Sequence, residues 1–341
     1  MKRKTALIWL ALLLMVNLSL AQFNSQTKTG ITAATFLSIE VGARSKAMGS
    51  AFVALANDAS ALYWNPAGIA TIKNNAVYFS HMNWLANVNF DYAAVSINMG
   101  ALGTIGASVT SLTMPDMQVT TVFEPEGTGQ LFSASDLAIG LSYARYLTTR
   151  FAIGFTGKFI QEKIFDMTAN TAAFDFGTIF RTGFNDMNLG FSISNFGGDL
   201  RLSGFNTQVN HDIDPTEFGN NDRIFANLQT QSFQLPLIFR VGVSMEVYHD
   251  NLNSAIIAID AVGPNDNKQY VNVGGEYTFN GILSLRAGYK TLFLTDSEEG
   301  VTLGAGLKYK LFGQSKFQFD YAYGDFGLLN NTQEFSLSIF F

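Results

Sequence analysis

His81, His211 and His249 are the three imidazoles of this 341-residue chain, and it contains no cysteine. Nucleophilic, acid–base or metal chemistry needs such groups at triad or ligand spacing. These three lie far apart in sequence, and neither a G-x-S-x-G elbow nor an H-E-x-x-H motif occurs. They read as histidines at strand ends or in loops, so no enzyme activity, metal or cofactor is expected. The lack of cysteine excludes disulfides, thiolate metal sites and a lipoprotein anchor. The segment HDIDPTEFGNND offers Asp212, Asp214, Glu217 and Asp222, oxygen donors of the kind Ca²⁺ takes. Their spacing is not that of an EF-hand, and a solvated acidic loop is the simpler account. TDSEEG (295–300) reads the same way.

Two further charged residues stand out, Arg44 and Asp58, in GARSKAMGSAFVALANDASALYWNPAGIA (42–70). The stretch is too apolar for a linker and too short for a membrane span. It reads as two short helices. The first starts near Ser45 and carries Met48, Phe52 and Leu55 along one side. Asp58 caps the second by accepting the N–H groups two and three residues on. Asn65, placed before Pro66, leaves the helical region and ends it. Gly68 permits the following turn.

The rest of the chain must position this piece. Charged residues are only 14%, against roughly 25% in soluble domains, and Gly and Phe number 31 each. Beyond the first 21 residues no run of 18 apolar residues exists, so membrane helices are excluded. Alternating segments take their place. Phe151, Ile153, Phe155 and Phe159 share one face, opposite Ala152, Gly154, Thr156 and Lys158. Period two is the strand period, and these segments have the length that crosses a bilayer. The polar faces are mostly small, with charges set singly among them, which suits a barrel interior.

Fourteen strands are expected, at 75–84, 89–99, 101–111, 134–147, 150–163, 170–181, 187–197, 235–248, 253–263, 269–279, 282–292, 300–311, 316–324 and 333–341. Short turns alternate with connections that include two long insertions, 112–133 and 198–234. That is the outer-membrane pattern, with both chain ends on the periplasmic side. Phase slips near Ala93–Ala94, which suggests a bulge. The ending EFSLSIFF resembles the terminal assembly signal of outer-membrane barrels. Tyr143, Tyr146, Tyr277, Tyr289, Tyr309, Tyr321 and Tyr323 suit an interfacial girdle.

The domains expected are a signal peptide at 1–21, a plug at 22–74 and a barrel at 75–341. Lys2, Arg3 and Lys4, an apolar run and Ser19-Leu20-Ala21 make the signal. A lumen of about fourteen strands is too wide for its own side chains to fill, and an apolar segment can occupy it. Arg44 and Asp58 would then meet each other or wall charges. The fold expected is thus an all-β transmembrane antiparallel barrel with a small N-terminal helical plug, in the bacterial outer membrane and in contact with its lipid. The net charge of −6 and the lack of a basic stripe speak against nucleic acid.

FLSIEVGARSKAMGSAFVALANDASALYWNPAGIA (36–70) resembles the N-terminal signature of the PorV/PorQ family, within the wider FadL-like outer-membrane superfamily. The matching positions include Gly42, Arg44, Met48, Gly49, Asp58, Trp64, Asn65 and Pro66, followed by Ala67; Gly68 completes the candidate plug motif. The resemblance implies a plugged fourteen-stranded barrel. For the PorV branch it implies service to type IX protein secretion, binding secreted proteins or secretion-system components. Loop aromatics Phe123, Phe132, Phe205, Phe218 and Phe225 are the candidate contacts. The alternative is a FadL-like transporter of hydrophobic small molecules, with a ligand between plug and wall and a break in the wall beside it.

Overall fold

The computed structural model describes residues 29–214, 216–217, 219, 223–294, 297–310 and 315–341. The expected signal peptide, Phe218 and Asp222 lie outside them. Fourteen antiparallel strands form the wall. They are β1 (Ala76–Asn83), β2 (Asn89–Asn98), β3 (Thr104–Thr113), β4 (Ala134–Tyr146), β5 (Phe151–Ile164), β6 (Met167–Arg181) and β7 (Asn188–Gly197), then β8 (Ile238–His249), β9 (Asn253–Pro264), β10 (Tyr270–Phe279), β11 (Leu283–Leu292), β12 (Val301–Lys310), β13 (Lys316–Asp325) and β14 (Asn331–Phe340). Each pairs with its sequence neighbour, and β14 returns to β1 with Ala76 opposite Phe340. Closure leaves no free edge, so the apolar last strand is covered on both sides.

Each strand sends one set of side chains out and the other in. Phe155, Phe159, Leu141 and Leu303 stay exposed on the outside, while Ala152, Thr156 and Asp175 are buried within. An outward belt of this kind is costly in water and favourable against lipid tails. The tyrosines Tyr143, Tyr146, Tyr277, Tyr289 and Tyr309 are exposed on this surface.

The expected slip in β2 is absent. Its register with β1 and β3 is continuous through Ala93 and Ala94. Phe90, Tyr92, Ala94 and Ser96 all point inward and are buried. The alternation looked broken because two of the inward residues are aromatic. They meet an apolar plug instead of water. Bulges occur elsewhere, at Glu246/Tyr248, between β10 and β11 near Val271, and between β6 and β7, where Asn195 adopts φ 65°.

Inside the ring, every residue from Val41 to Ile69 except Asn57 is buried. The chain enters beside the long loops, where Thr32 bridges Gln234, and leaves into β1 on the short-turn side. The helices are shorter than expected. α1 (Ala43–Ala47) follows Gly42, and α2 (Ala61–Trp64) follows Ser60. Met48, Phe52 and Leu55 are buried, but Met48 and Leu55 sit in turns and Phe52 in irregular chain between them, so the three share no helix. Burying Phe52, Leu62 and Ile69 stabilises the seated piece by roughly 1.5–3 kcal/mol each.

Candidate functional site

Short helices and turns leave backbone N–H groups without partners, and a buried orphan donor is costly. Here the wall supplies the acceptors. Glu162 accepts the Ala34 N–H at 2.7 Å, and Glu334 accepts that of Gly42 at 2.6 Å. Asp260 accepts those of Phe52 and Val53 at 2.7 and 2.8 Å. The Thr302 hydroxyl accepts that of Gly49 at 2.9 Å. The three carboxylates are single inward charges on otherwise small faces, of the kind the sequence reading expected in a barrel interior. Parity placed them in the lumen but did not name their partners.

Arg44 lies at the centre of a charged network. Its Nε and Nη2 donate to the two oxygens of Glu276 at 2.9 and 2.8 Å. Its Nη1 donates to Asn57 at 2.6 Å and lies 3.5 Å from Asp58. Arg286 donates to Glu276 at 2.6 Å and to Asp320 at 2.7 Å, and Gln318 holds the other Asp320 oxygen. Arg44 therefore meets both Asp58 and the wall.

Of the other plug-motif residues, Asn65 ends the helix as expected, Asp58 reaches the N–H two residues on, and Gly68 makes no left-handed turn. Asp58 accepts from the Ser60 N–H at 2.9 Å and from the Ser60 hydroxyl, ahead of a helix that Ser60 itself precedes. Asn65 is extended (φ −161°), as Pro66 requires. Its side chain accepts from Ala67 and donates to the carbonyls of Val53 and Thr178, so it joins two plug segments and β6. Gly68 lies within the 3-10 turn Pro66–Thr71, not in a left-handed bend, and its missing side chain makes room for the Ala56 carbonyl. Trp64 donates to the Val41 carbonyl at 2.8 Å and packs edge-on against Phe52 and Tyr63.

Wall glycines explain how so much chain fits. Gly106, Gly154, Gly177, Gly242, Gly274 and Gly304 abut Leu62, Pro66, Asn65, Val53, Met48 and Ala47 respectively. Gly42 and Gly49 of the plug have φ 101° and 61°, values that favour glycine.

Above the plug, on the long-loop side, a cavity of about 560 Å³ opens between residues 29–40 and the wall. Phe36, Trp84, Leu112, Val262, Leu294 and Phe326 supply apolar lining; Lys46, Arg240, Lys290 and the carboxylates Glu40, Asp266 and Glu299 also border it. Arg240 is 4% exposed. Its guanidinium lies over Trp64 and Tyr63, 5.2 and 5.6 Å from the ring centres, and donates to Ser194 at 3.2 Å. No carboxylate among the described residues pairs with it. Lys290, by contrast, is paired with Glu40 and Glu299. Arg240 and Lys290 escaped the sequence reading because a single charge on an alternating strand looks alike whether it faces a plug, a cavity or a partner.

Phe123, Phe205 and Phe225 are 93%, 71% and 78% exposed; Phe123 lies in the 112–133 loop, while Phe205 and Phe225 share the 198–234 loop, where 208–211 pairs with 224–227. Phe132 is half-buried in a two-residue ladder with Met117. His81 and His249 are exposed, beside Asp91 and Glu246. Among the described residues no group of His, Asp and Glu is arranged to hold a metal ion. Asp214 accepts from Thr216, which holds its carboxyl below the usual range.

A closed antiparallel barrel with an apolar outer belt and a filled lumen defines an outer-membrane β-barrel protein of FadL-like architecture. The chain belongs to the uncharacterised protein family UPF0164, whose profile matches residues 15–199. No curated protein sequence matches it. The Ralstonia pickettii toluene transporter TbuX is similar in fold, with TM-score 0.54 and 13% identity over 88% of this chain and 97% of that one. A Pseudomonas aeruginosa FadL homologue gives 0.53 and 12% over 91% and 99%. The Pseudomonas putida toluene transporter TodX gives 0.52 and 12% over 88% and 96%. At these identities the likeness is one of fold.

Proposed function

We propose that this protein admits a hydrophobic small molecule through the bacterial outer membrane, receiving it first in the mouth cavity. The observation that carries the reading is the cavity itself: apolar side chains on part of its wall beside a buried guanidinium that, among the described residues, has no carboxylate at ion-pair distance. Such a lining suits an amphipathic molecule with an apolar body and an acidic head, because Arg240 gains a charge-assisted partner that it otherwise lacks. The transporters named above share the fold and agree with this reading. Every neighbouring pair of described wall strands is hydrogen-bonded, so the reading uses the mouth and not a missing ladder. Service to type IX secretion through Phe123, Phe205 and Phe225 rests on the resemblance of residues 36–70 alone, and the uptake reading is preferred.

The test is calorimetric titration of the barrel in lipid nanodiscs with decanoate and with decanol. Decanoate is expected to bind more tightly, and Arg240→Gln to bring the two together. Equal affinities in the unaltered protein, or a preference that survives Arg240→Gln, would exclude the assignment.

A further inference from the structure

A second cavity lies on the outer face of the wall, where β13, β14, β1, β2 and β3 adjoin, and has a volume of about 340 Å³. That is near the lower end for ligand pockets, roughly 300–1,000 Å³. The strand register builds it. Phe79 sits opposite both Leu337 and Ala93, and Ala93 sits opposite Val109. These side chains point outward, and the single methyl of Ala93 leaves a bay between the exposed Phe79 and Val109. Phe335 and Phe319, stacked with ring centres 6.2 Å apart, form its far side.

At the long-loop end of the bay the outer belt turns polar. The next outward row is Phe335, His81, Asp91 and Ser111, and the row beyond it is Gln333, Asn83, Asn89 and Thr113. His81 Nδ1 lies 2.7 Å from Asp91 Oδ1, and the two side chains are 51% and 53% exposed. An ionised carboxylate only accepts, so the neutral imidazole donates from Nδ1. Its Nε2 and the second oxygen of Asp91 are then two neighbouring acceptors. The pair keeps the negative charge of Asp91, and the surrounding chain does not offset it: neither lysine nor arginine occurs from 74 to 144 or from 317 to 341.

We propose that this bay holds one membrane lipid with a primary ammonium headgroup, its acyl chain over Ala93 and its ammonium on the acceptors of His81 and Asp91. An apolar bay within the lipid-facing belt, with anionic acceptors at the level where the belt ends, fits both parts of such a molecule. Two copies of the chain meeting face to face would set Asp91 against a patch equally poor in cations, so a lipid is the better occupant. The inference goes beyond the uptake reading and does not depend on it.

The test is native mass spectrometry of the barrel, released from detergent micelles with equal amounts of phosphatidylethanolamine, phosphatidylcholine and phosphatidylglycerol of matched chains. The choline headgroup keeps the positive charge but has no N–H to donate. Phosphatidylethanolamine should be retained roughly three- to fivefold over either competitor, the worth of a half-exposed ion pair. Asp91→Asn should abolish that preference. Ala93→Phe should lower retention of all three lipids, whereas Ala261→Phe, at an outward alanine of β9, should not. Heat-modifiable gel migration verifies that each variant is folded, and Asp91→Asn decides the matter if Ala93→Phe fails to assemble. Equal retention of the three lipids, a preference that survives Asp91→Asn, a folded Ala93→Phe without effect, or a dimer that Ala93→Phe dissociates would each overturn the assignment. None of these outcomes bears on whether decanoate binds at Arg240.

Discussion

Gly274 of β10 faces the carbonyl of Met48 so closely that a β-carbon on Gly274 would overlap it. Gly288 on β11 meets the adjoining Met48–Gly49 peptide in the same way. Plug backbone thus lies directly on wall backbone, with no side chain between.

Gly274→Val should therefore keep the barrel but unseat this part of the plug. Neither contacting atom is the movable end of a side chain, so the strain must be relieved by displacement. Planar-bilayer recordings should show a larger open-state current than the unaltered protein. The outward neighbour Gly275, whose nearest contact would lie at 3.8 Å, serves as control. Gly275→Ala should leave the current unchanged.

The outer belt makes a separate prediction. Leu141 of β4 is 69% exposed and lies among apolar outward residues. Leu141→Arg should destabilise the inserted barrel by about 2–4 kcal/mol, the cost of a cation at mid-bilayer depth. Urea-driven folding and unfolding in lipid vesicles measures this, with Leu141→Ala separating the loss of the side chain from the added charge.

The turn between β8 and β9 should contribute a pH-dependent term. Asp250 accepts from the Tyr248 hydroxyl at 2.7 Å, from the Leu252 N–H at 2.8 Å and from both nitrogens of Asn253. The tyrosine bond first, then the backbone and asparagine donors, hold its carboxyl well below the usual range. A depressed acid stabilises the fold above its unfolded value, about 3.9, and loses that contribution as pH falls through the folded value. Folded stability measured from pH 6 downward should thus drop less steeply in Asp250→Asn than in the unaltered chain. An identical slope in both would show that the turn plays no part.

The wall could be read from the chain because its information is local. Period-two alternation, strand length and the rhythm of short and long connections are each visible within a few tens of residues. All fourteen strands were found that way, with ends displaced by a few residues. The apolar, tightly punctuated 42–70 segment likewise announced that it needed burial, and Pro66 placed the end of α2.

Other features depended on closure. Phe90 and Tyr92 looked out of phase until the lumen proved to be filled with apolar chain. Gly68 resembled a turn residue, but what mattered was its closeness to Ala56, a neighbour twelve residues earlier. Asp260, Glu276, Arg240 and Lys290 were single charges on alternating strands, and their partners in the plug lie as far as 250 residues away. Parity along a strand tells which side of the wall a residue faces. Only threading the plug through the closed ring decides which atoms then come within 3 Å, since that distance depends on the whole circumference and on every small residue that lets the backbones approach.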